Sequence, residues 1–177
     1  MSTTTKQLPT SVPRYYSGEP SQLATHHLMV SQGRGCTEQA RICASLNSSA
    51  VPMTHLSLSD YPSSAELQRA MLSILREATV GLRIYLLGNE DFIWPLHALA
   101  RVAGLQPEEI QVIPSASCGH AIYCVHCSTT QHGALDSPHT CTECGVVLEV
   151  RQHFSRRLGA YLGVCADARQ PYAQARS

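Results

Sequence analysis

Cys124-Val125-His126-Cys127 and, after the intervening residues 128–140, Cys141-Thr142-Glu143-Cys144-Gly145 form the stretch that decides how this chain folds. Two C-x-x-C pairs joined by a short polar loop can surround one ion with four sulfurs, and thiolates in that number suit tetrahedral zinc or a single iron. A C-x-x-C turn brings two sulfurs to one ion while backbone N–H groups point at them and offset their negative charge. Gly145 directly after the second pair permits the positive φ such a turn often needs; Ser128 stands in the matching place after the first pair, which makes that knuckle the less ideal one. The paired spacing predicts two β-hairpin knuckles, with Val146 to Val150 as the strand leaving the second.

Zinc and iron are separated by context. Iron sites of the rubredoxin kind use the same knuckles with a longer intervening loop and an aromatic core, whereas this loop contains no aromatic residue. Structural zinc is therefore favoured, iron being the alternative, and a module with so small a core needs the metal for its stability. His126 lies between two ligands and is expected to point outward. His120, His132 and His139 are read as exposed or supporting residues.

Working outward, the chain has 177 residues, 13 Lys+Arg against 13 Asp+Glu, and eight cysteines. Balanced charge speaks against a general nucleic-acid binder. The start has no apolar leader run, and no stretch approaches the roughly 18 apolar residues of a membrane helix. A soluble cytoplasmic protein is the expectation, and with it metal ligands and free thiols rather than disulfides. Cys36, Cys43, Cys118 and Cys165 are read as small buried hydrophobes.

Four segments are expected. Residues 1–22, rich in Ser, Thr and Pro, form a flexible arm in which Tyr15-Tyr16 can anchor to a partner. Residues 23–114 alternate strand and helix: strands at 27–30, 54–58, 83–87 and 110–113, and a helix at 37–46. The next helix is opened by the capping box Ser63-Ser64-Ala65-Glu66, after which Leu67, Ala70, Met71, Ile74, Leu75 and Ala78 share one face. A further helix after Gly88-Asn89 tolerates Pro95 only in its first turn and stops at Gly104. Strands alternating with helices predict an α/β class: a small Rossmann-like parallel sheet layer, followed by a zinc-ribbon or rubredoxin-like β module at 115–152. Residues 153–177 then form an arginine-rich docking tail. Arg151, just before it, and His153, Phe154, Arg156, Arg157 and Tyr161 within it are the candidate partner-docking residues, because arginine and aromatics are favoured at interfaces.

No cofactor motif is complete. Gly33-Arg34-Gly35-Cys36-Thr37-Glu38 begins like a dinucleotide fingerprint but places Glu38 at the third glycine, where a carboxylate opposes a pyrophosphate. No catalytic and no cofactor-binding residue is assigned to this chain.

Two resemblances add to this. Arg83 to Ile113 (RIYLLGNEDFIWPLHALARVAGLQPEEIQVI) resembles the last strand–helix–strand of the nicotinamide domain in ferredoxin-reductase-like flavoenzymes. Leu87-Gly88-Asn89 stands where that family typically has Cys-Gly-Pro, which implies a relative of the fold without hydride transfer. The module and the segment Val150 to Asp167 resemble the C-terminal region of the dimethylamine monooxygenase subunit DmmA-like family. That resemblance implies a subunit of a haem-dependent complex that oxidatively demethylates dimethylamine to methylamine and formaldehyde with O2 and NADPH. It places haem on one partner, and FMN with a [2Fe-2S] cluster on a reductase partner. This chain would be the non-catalytic assembly subunit that docks the two, with no nucleic-acid or membrane partner. A rubredoxin-like electron carrier is the alternative.

Overall fold

The protein was analysed as a computed structural model, which describes residues 11–13, 15, 23–33, 37–48, 50–115, 119–136, 138–167 and 169. Arg34 to Cys36, the heart of the incomplete glycine motif, lie outside the described residues, as do Cys118 and most of the arm at 1–22. Residues 15–116 form one compact unit and residues 117–177 belong to a second.

The first unit is built on a four-stranded, all-parallel sheet. Strands β1 (His26–Ser31), β2 (Met53–Ser57), β3 (Leu82–Gly88) and β4 (Ile110–Pro114) stand in the order β2-β1-β3-β4. Helices α1 (Thr37–Asn47), α2 (Ser64–Glu77) and α3 (Glu90–Val102) connect them. β3 is buried at nearly every position, as its near-continuous apolar run requires of an inner strand covered on both faces. On one face Met29, Tyr85, Leu87 and Ile113 pack with Ile42 and Leu46 of α1. On the other, Leu28, Val30, Ile84 and Leu86 are all fully buried. There α2 packs on β2 and α3, and α3 packs on β3 and β4, so Leu67, Met71, Leu75, Ile93, Leu96 and Ala100 complete the core. Burying a single Leu or Ile side chain contributes about 1.5–3 kcal/mol, so this two-sided core is the main source of the unit's stability.

The local signals act as written. Ser63 caps α2 by accepting a hydrogen bond from the Glu66 N–H at 3.3 Å. α3 ends at Val102, two residues before Gly104. β2 begins one residue earlier than expected, and Leu58–Asp60 form a 3-10 turn instead of its last residue. Pro95 is a clearer correction: it sits in the second turn of α3, not the first. It has no N–H to give to the Asp91 carbonyl four residues back. The helix continues because Ile93, Trp94 and Leu96 around it are buried, and their packing outweighs one missing bond. Tyr15, assigned to the flexible arm, is held on α3 instead: its hydroxyl donates to Glu90 Oε1 at 2.8 Å and accepts from Trp94 Nε1 at 3.3 Å. Cys43 is half-buried against the α1 core, its thiol 3.6 Å from Met29 Sδ.

The second unit is a five-stranded sheet of β5 (His120–Cys124), β6 (Thr130–Gly133), β7 (His139–Thr140), β8 (Val147–Ser155) and β9 (Ala160–Cys165), in the order β6-β5-β9-β8-β7. β5 pairs with β6 and β7 with β8 as antiparallel hairpins, one for each C-x-x-C pair; β9 bridges them, antiparallel to β8 and parallel to β5. The boundary drawn at residue 152 falls inside β8. The segment read as a separate tail supplies the end of β8 and all of β9, because Tyr161, Leu162 and Gly163 register with Ile122, Tyr123 and Cys124 across the middle of the sheet.

Candidate metal centre

Each C-x-x-C pair occupies a hairpin knuckle with the same backbone wiring. In the first, the Ser128 N–H donates to the Cys124 carbonyl at 2.9 Å, and the Cys124 N–H to the Thr129 carbonyl at 2.8 Å. In the second, the Gly145 N–H donates to the Cys141 carbonyl at 2.9 Å, and the Cys141 N–H to the Val146 carbonyl at 2.9 Å. Sequence positions 17 apart thus adopt one geometry twice, which brings both cysteines of each pair to the same side of their hairpin.

All four sulfurs lie within 4.8 Å of one another. Cys124 Sγ is 3.8 Å from Cys144 Sγ, and Cys127 Sγ is 3.6 Å from Cys141 Sγ. Four sulfurs at about 2.3 Å from a central ion stand about 3.8 Å apart at the edges of a tetrahedron. Two edges of the cage thus already have the length that a tetrahedral metal site requires. Cys124 and Cys141 are buried, and Cys127 and Cys144 half-buried. Beneath them Ile122, Val146 and Leu148 form a fully buried apolar floor, with Val150 and Cys165 packed at its edge.

The electrostatics of the thiols also point to a cation. A hydrogen bond from the Thr129 side chain, then one from its backbone N–H, pulls the Cys127 thiol down to about 6. Cys144 receives the Val146 N–H, but burial and the three neighbouring sulfurs outweigh it and push that thiol up to about 12. Burial is the largest influence on Cys124 and raises it, against the N–H groups of Cys127 and His126. Cys127 thus favours its thiolate, whereas Cys124 and Cys144 favour their protons until a dication is present to bind the sulfurs.

The histidines stay outside the cage. His126 is exposed, as its place between two ligands requires, and so is His132. His139 is half-buried and meets the Ala134 carbonyl, and His120 packs edge-on to Tyr161 with ring centres 5.3 Å apart. Cys165, read as a buried thiol, is half-buried and its Sγ approaches the Asp167 carbonyl at 3.0 Å.

The docking candidates divide. Arg151 and His153 are exposed, on a bulge where β8 gains residues against β9 between Val150 and Phe154. Arg156 and Arg157 are exposed in the turn that joins β8 to β9. Phe154 and Tyr161 are 2% and 4% exposed and meet edge to face with ring centres 4.9 Å apart. Those two aromatics are a correction: their area is consumed inside the module, where they rivet the hairpin that displays the arginines. Two supporting residues escaped the sequence reading. Thr129 tunes Cys127, and Gln131 on β6 accepts from the Thr142 N–H at 3.1 Å, tying the first hairpin to the second knuckle. The Thr two places after a C-x-x-C was visible in the sequence; nothing signalled the reach of Gln131.

An α/β layer joined to a two-knuckle sheet with a four-cysteine cluster that could hold a metal ion defines a bipartite class of protein. Within that class the chain is assigned by similarity to known proteins. Residues 42–110 match the dimethylamine monooxygenase subunit DmmA-like N-terminal domain, and residues 121–164 the corresponding C-terminal domain. A relative from Ectopseudomonas mendocina (strain ymp), named heme-dependent oxidative N-demethylase delta subunit, is 52% identical over 172 residues, 97% of each chain. The chain belongs to the dimethylamine monooxygenase subunit DmmA-like family. No solved structure gives a significant match.

Proposed function

We propose that this chain is a non-catalytic assembly subunit of a haem-dependent oxidative N-demethylase. The complex would convert dimethylamine to methylamine and formaldehyde with O2 and NADPH. The observation that carries the reading is the end-to-end match to a delta subunit of a heme-dependent oxidative N-demethylase. Haem would reside on an oxygenase partner, and FMN with a [2Fe-2S] cluster on a reductase partner, in the cytoplasm. The four sulfurs would hold zinc, which locks the two knuckles and so fixes the surface formed by Arg151, His153, Arg156 and Arg157 for docking. This division of labour agrees with the site chemistry: a closed four-sulfur cage leaves no open position for substrate.

The test is to express the complex with and without this chain. Without it, the haem and reductase subunits are expected to elute separately, and dimethylamine-dependent NADPH oxidation to fall at least about tenfold, the loss expected when electron donor and acceptor are no longer held together. Unchanged association and rate in its absence would overturn the assembly role. Elemental analysis of the isolated chain is expected to give one zinc per chain and no visible colour.

A second reading has its own support, because sulfurs 3.6–3.8 Å apart accommodate iron as well as zinc. In that case the module is a rubredoxin-like one-electron carrier. Stoichiometric iron with a red colour bleached by dithionite would favour it.

A further inference from the structure

The two knuckles are fastened to the sheet in different ways. Val125 and Thr142 hold equivalent places, each directly after the first cysteine of its pair. The Val125 N–H donates to the Gly163 carbonyl of β9 at 3.1 Å, which continues the pairing of β5 with β9. The first knuckle is thus anchored by backbone. The second follows β7, an edge of the strand order β6-β5-β9-β8-β7, and among the described residues no strand lies on its outer side. There the acceptor is a side chain: the Thr142 N–H donates to Gln131 Oε1 at 3.1 Å, and the Thr142 hydroxyl approaches the same oxygen at 3.5 Å.

Gln131 reaches this knuckle from the opposite edge of the sheet. It lies on β6 in register with Ile122, so its side chain shares the face that carries the floor of the cage. β6 and β7 are the two ends of the strand order, but a β6 side chain bonds the residue two places past β7. The sheet therefore curls until its edges face each other across a seam. A backbone ladder across that seam would close a barrel. Side chains close it instead. At the end away from the cage the imidazole of His139 fills it, because a Cβ on Gly133 would stand 2.5 Å from His139 Cε1. At the cage end stands the Gln131 bond, and the knuckle it fastens carries both Cys141 and Cys144.

We propose that Gln131 is the latch of the metal cage: it positions the second knuckle against the first, and the cage opens at the second knuckle to take up or release its ion. This rests on the proposed metal at the four sulfurs. Freeing the first knuckle requires two paired strands to part, whereas the second is freed when one side chain swings out. Local opening uses the weakest contacts of a fold. With the second knuckle swung away, only Cys124 and Cys127 remain as ligands, so the rate of release follows how often the latch opens.

The probe is cobalt(II), whose bonds to thiolate colour the complex. The full chain is loaded with it, and its release to an excess of chelator is followed by the loss of colour. Gln131→Met, which keeps the length of the side chain and removes its acceptor, should release the ion about fivefold faster, the effect of one neutral hydrogen bond on a rate. Gln131→Asn, which withdraws the amide by one methylene, should do the same. Gln131→Glu, which keeps an acceptor in place, should stay within about twofold of the wild type. Amide hydrogen exchange on the loaded proteins separates a latch from a general loosening: in Gln131→Met and Gln131→Asn the Thr142 N–H should exchange faster while the Val125 N–H stays protected. Wild-type release rates in both of these variants overturn the latch, as does equal acceleration of the two N–H groups or a Gln131→Glu chain as fast as Gln131→Met. A wild-type chain that takes up no cobalt overturns the metal reading itself, and the latch with it.

Discussion

Ser128 and Gly145 occupy the same place in the two knuckles with nearly the same backbone: φ is 63° at Ser128 and 70° at Gly145. Each donates its N–H to the carbonyl of the first cysteine of its pair, at 2.9 Å in both cases. Ser128 is the only non-glycine residue with positive φ among the described residues. The strain is therefore borne on the first of the two knuckles, where the hydrogen bonds that close the turn hold it in place.

This asymmetry predicts opposite outcomes for two substitutions. A left-handed conformation costs a non-glycine residue roughly 1–2 kcal/mol, while glycine costs extra entropy in the unfolded chain. Ser128→Gly should leave the metal-loaded module equally stable or stabilise it by up to about 1 kcal/mol. Gly145→Ser should destabilise it by roughly 1–2 kcal/mol. Denaturant unfolding of the metal-loaded protein measures both; a loss of stability in Ser128→Gly as large as that in Gly145→Ser would contradict the shared geometry.

Metal loading should be pH-dependent in a defined direction. The ion binds thiolates, so protons compete with it, and acidification from pH 7.5 toward 5 should release it. Cys127, drawn to about 6, has already lost its proton at neutral pH, whereas Cys144, pushed to about 12, ionises only for the metal. Titration calorimetry in buffers of different ionisation enthalpy should therefore count fewer than four protons released per ion at pH 7.5. Cys144→Ser should abolish stoichiometric loading while hydrogen exchange in β1 and β3 stays protected, because that core contains none of the ligands.

The parts of this fold that were legible in the sequence are those set by local chemistry. The capping box fixed the start of α2, an unbroken apolar run marked β3 as an inner strand, and the doubled C-x-x-C marked both hairpins before any contact was known. What was hidden depends on long-range pairing. The segment after residue 152 carries a bulge at 151–153 and a Gly-rich centre, which blur the period-2 alternation of β8 and β9. Phe154 and Tyr161 looked like interface aromatics because their partners are each other and His120, which is remote in sequence. Pro95 was misplaced because a local rule for proline takes no account of the buried neighbours that carry α3 through it.

Gly163 should tolerate no side chain. It registers with Cys124 on one side and Val150 on the other, beneath the first knuckle. A Cβ there would stand 3.0 Å from Ile122 Cγ2 and 3.0 Å from Leu148 Cδ1. Both neighbours belong to the buried floor and have little room to retreat. Gly163→Ala should cost roughly 1–3 kcal/mol in the metal-loaded module. A lowered unfolding midpoint with an unchanged metal count would assign the cost to packing rather than to ligation.

His27 should make the α/β unit sensitive to mild acid. It is 1% exposed, with Nδ1 3.2 Å from the Tyr85 hydroxyl. Burial, with a smaller contribution from neighbouring His26, holds its pKa below the ordinary value. The folded state thus favours the neutral ring, while the unfolded chain takes up a proton near about 6.5. This contribution is fully present above that pH and is lost as the pH falls through the lower folded value. His27→Gln should flatten the decline in unfolding midpoint between pH 7.5 and 5.5; an undiminished slope would show that other groups carry it.

The docking surface can be tested without touching the metal. Arg156 and Arg157 are exposed in the turn that Phe154 and Tyr161 brace from below, so charge reversal there leaves the packed aromatics in place. Arg151 is excluded from the first variant because it pairs with Glu149 at 3.2 Å, an exposed contact that contributes little but would confuse the reading. Arg156→Glu with Arg157→Glu should retain full metal loading and the wild-type unfolding midpoint. It should weaken capture of the partner subunits by about tenfold or more at low salt, the range expected when rim charges that steer association are reversed. Raising the ionic strength should narrow the gap between variant and wild type, since salt screens the attraction that the variant lacks. Unaltered capture at low salt would remove these arginines from the interface and leave the metal-locked sheet without its proposed docking surface.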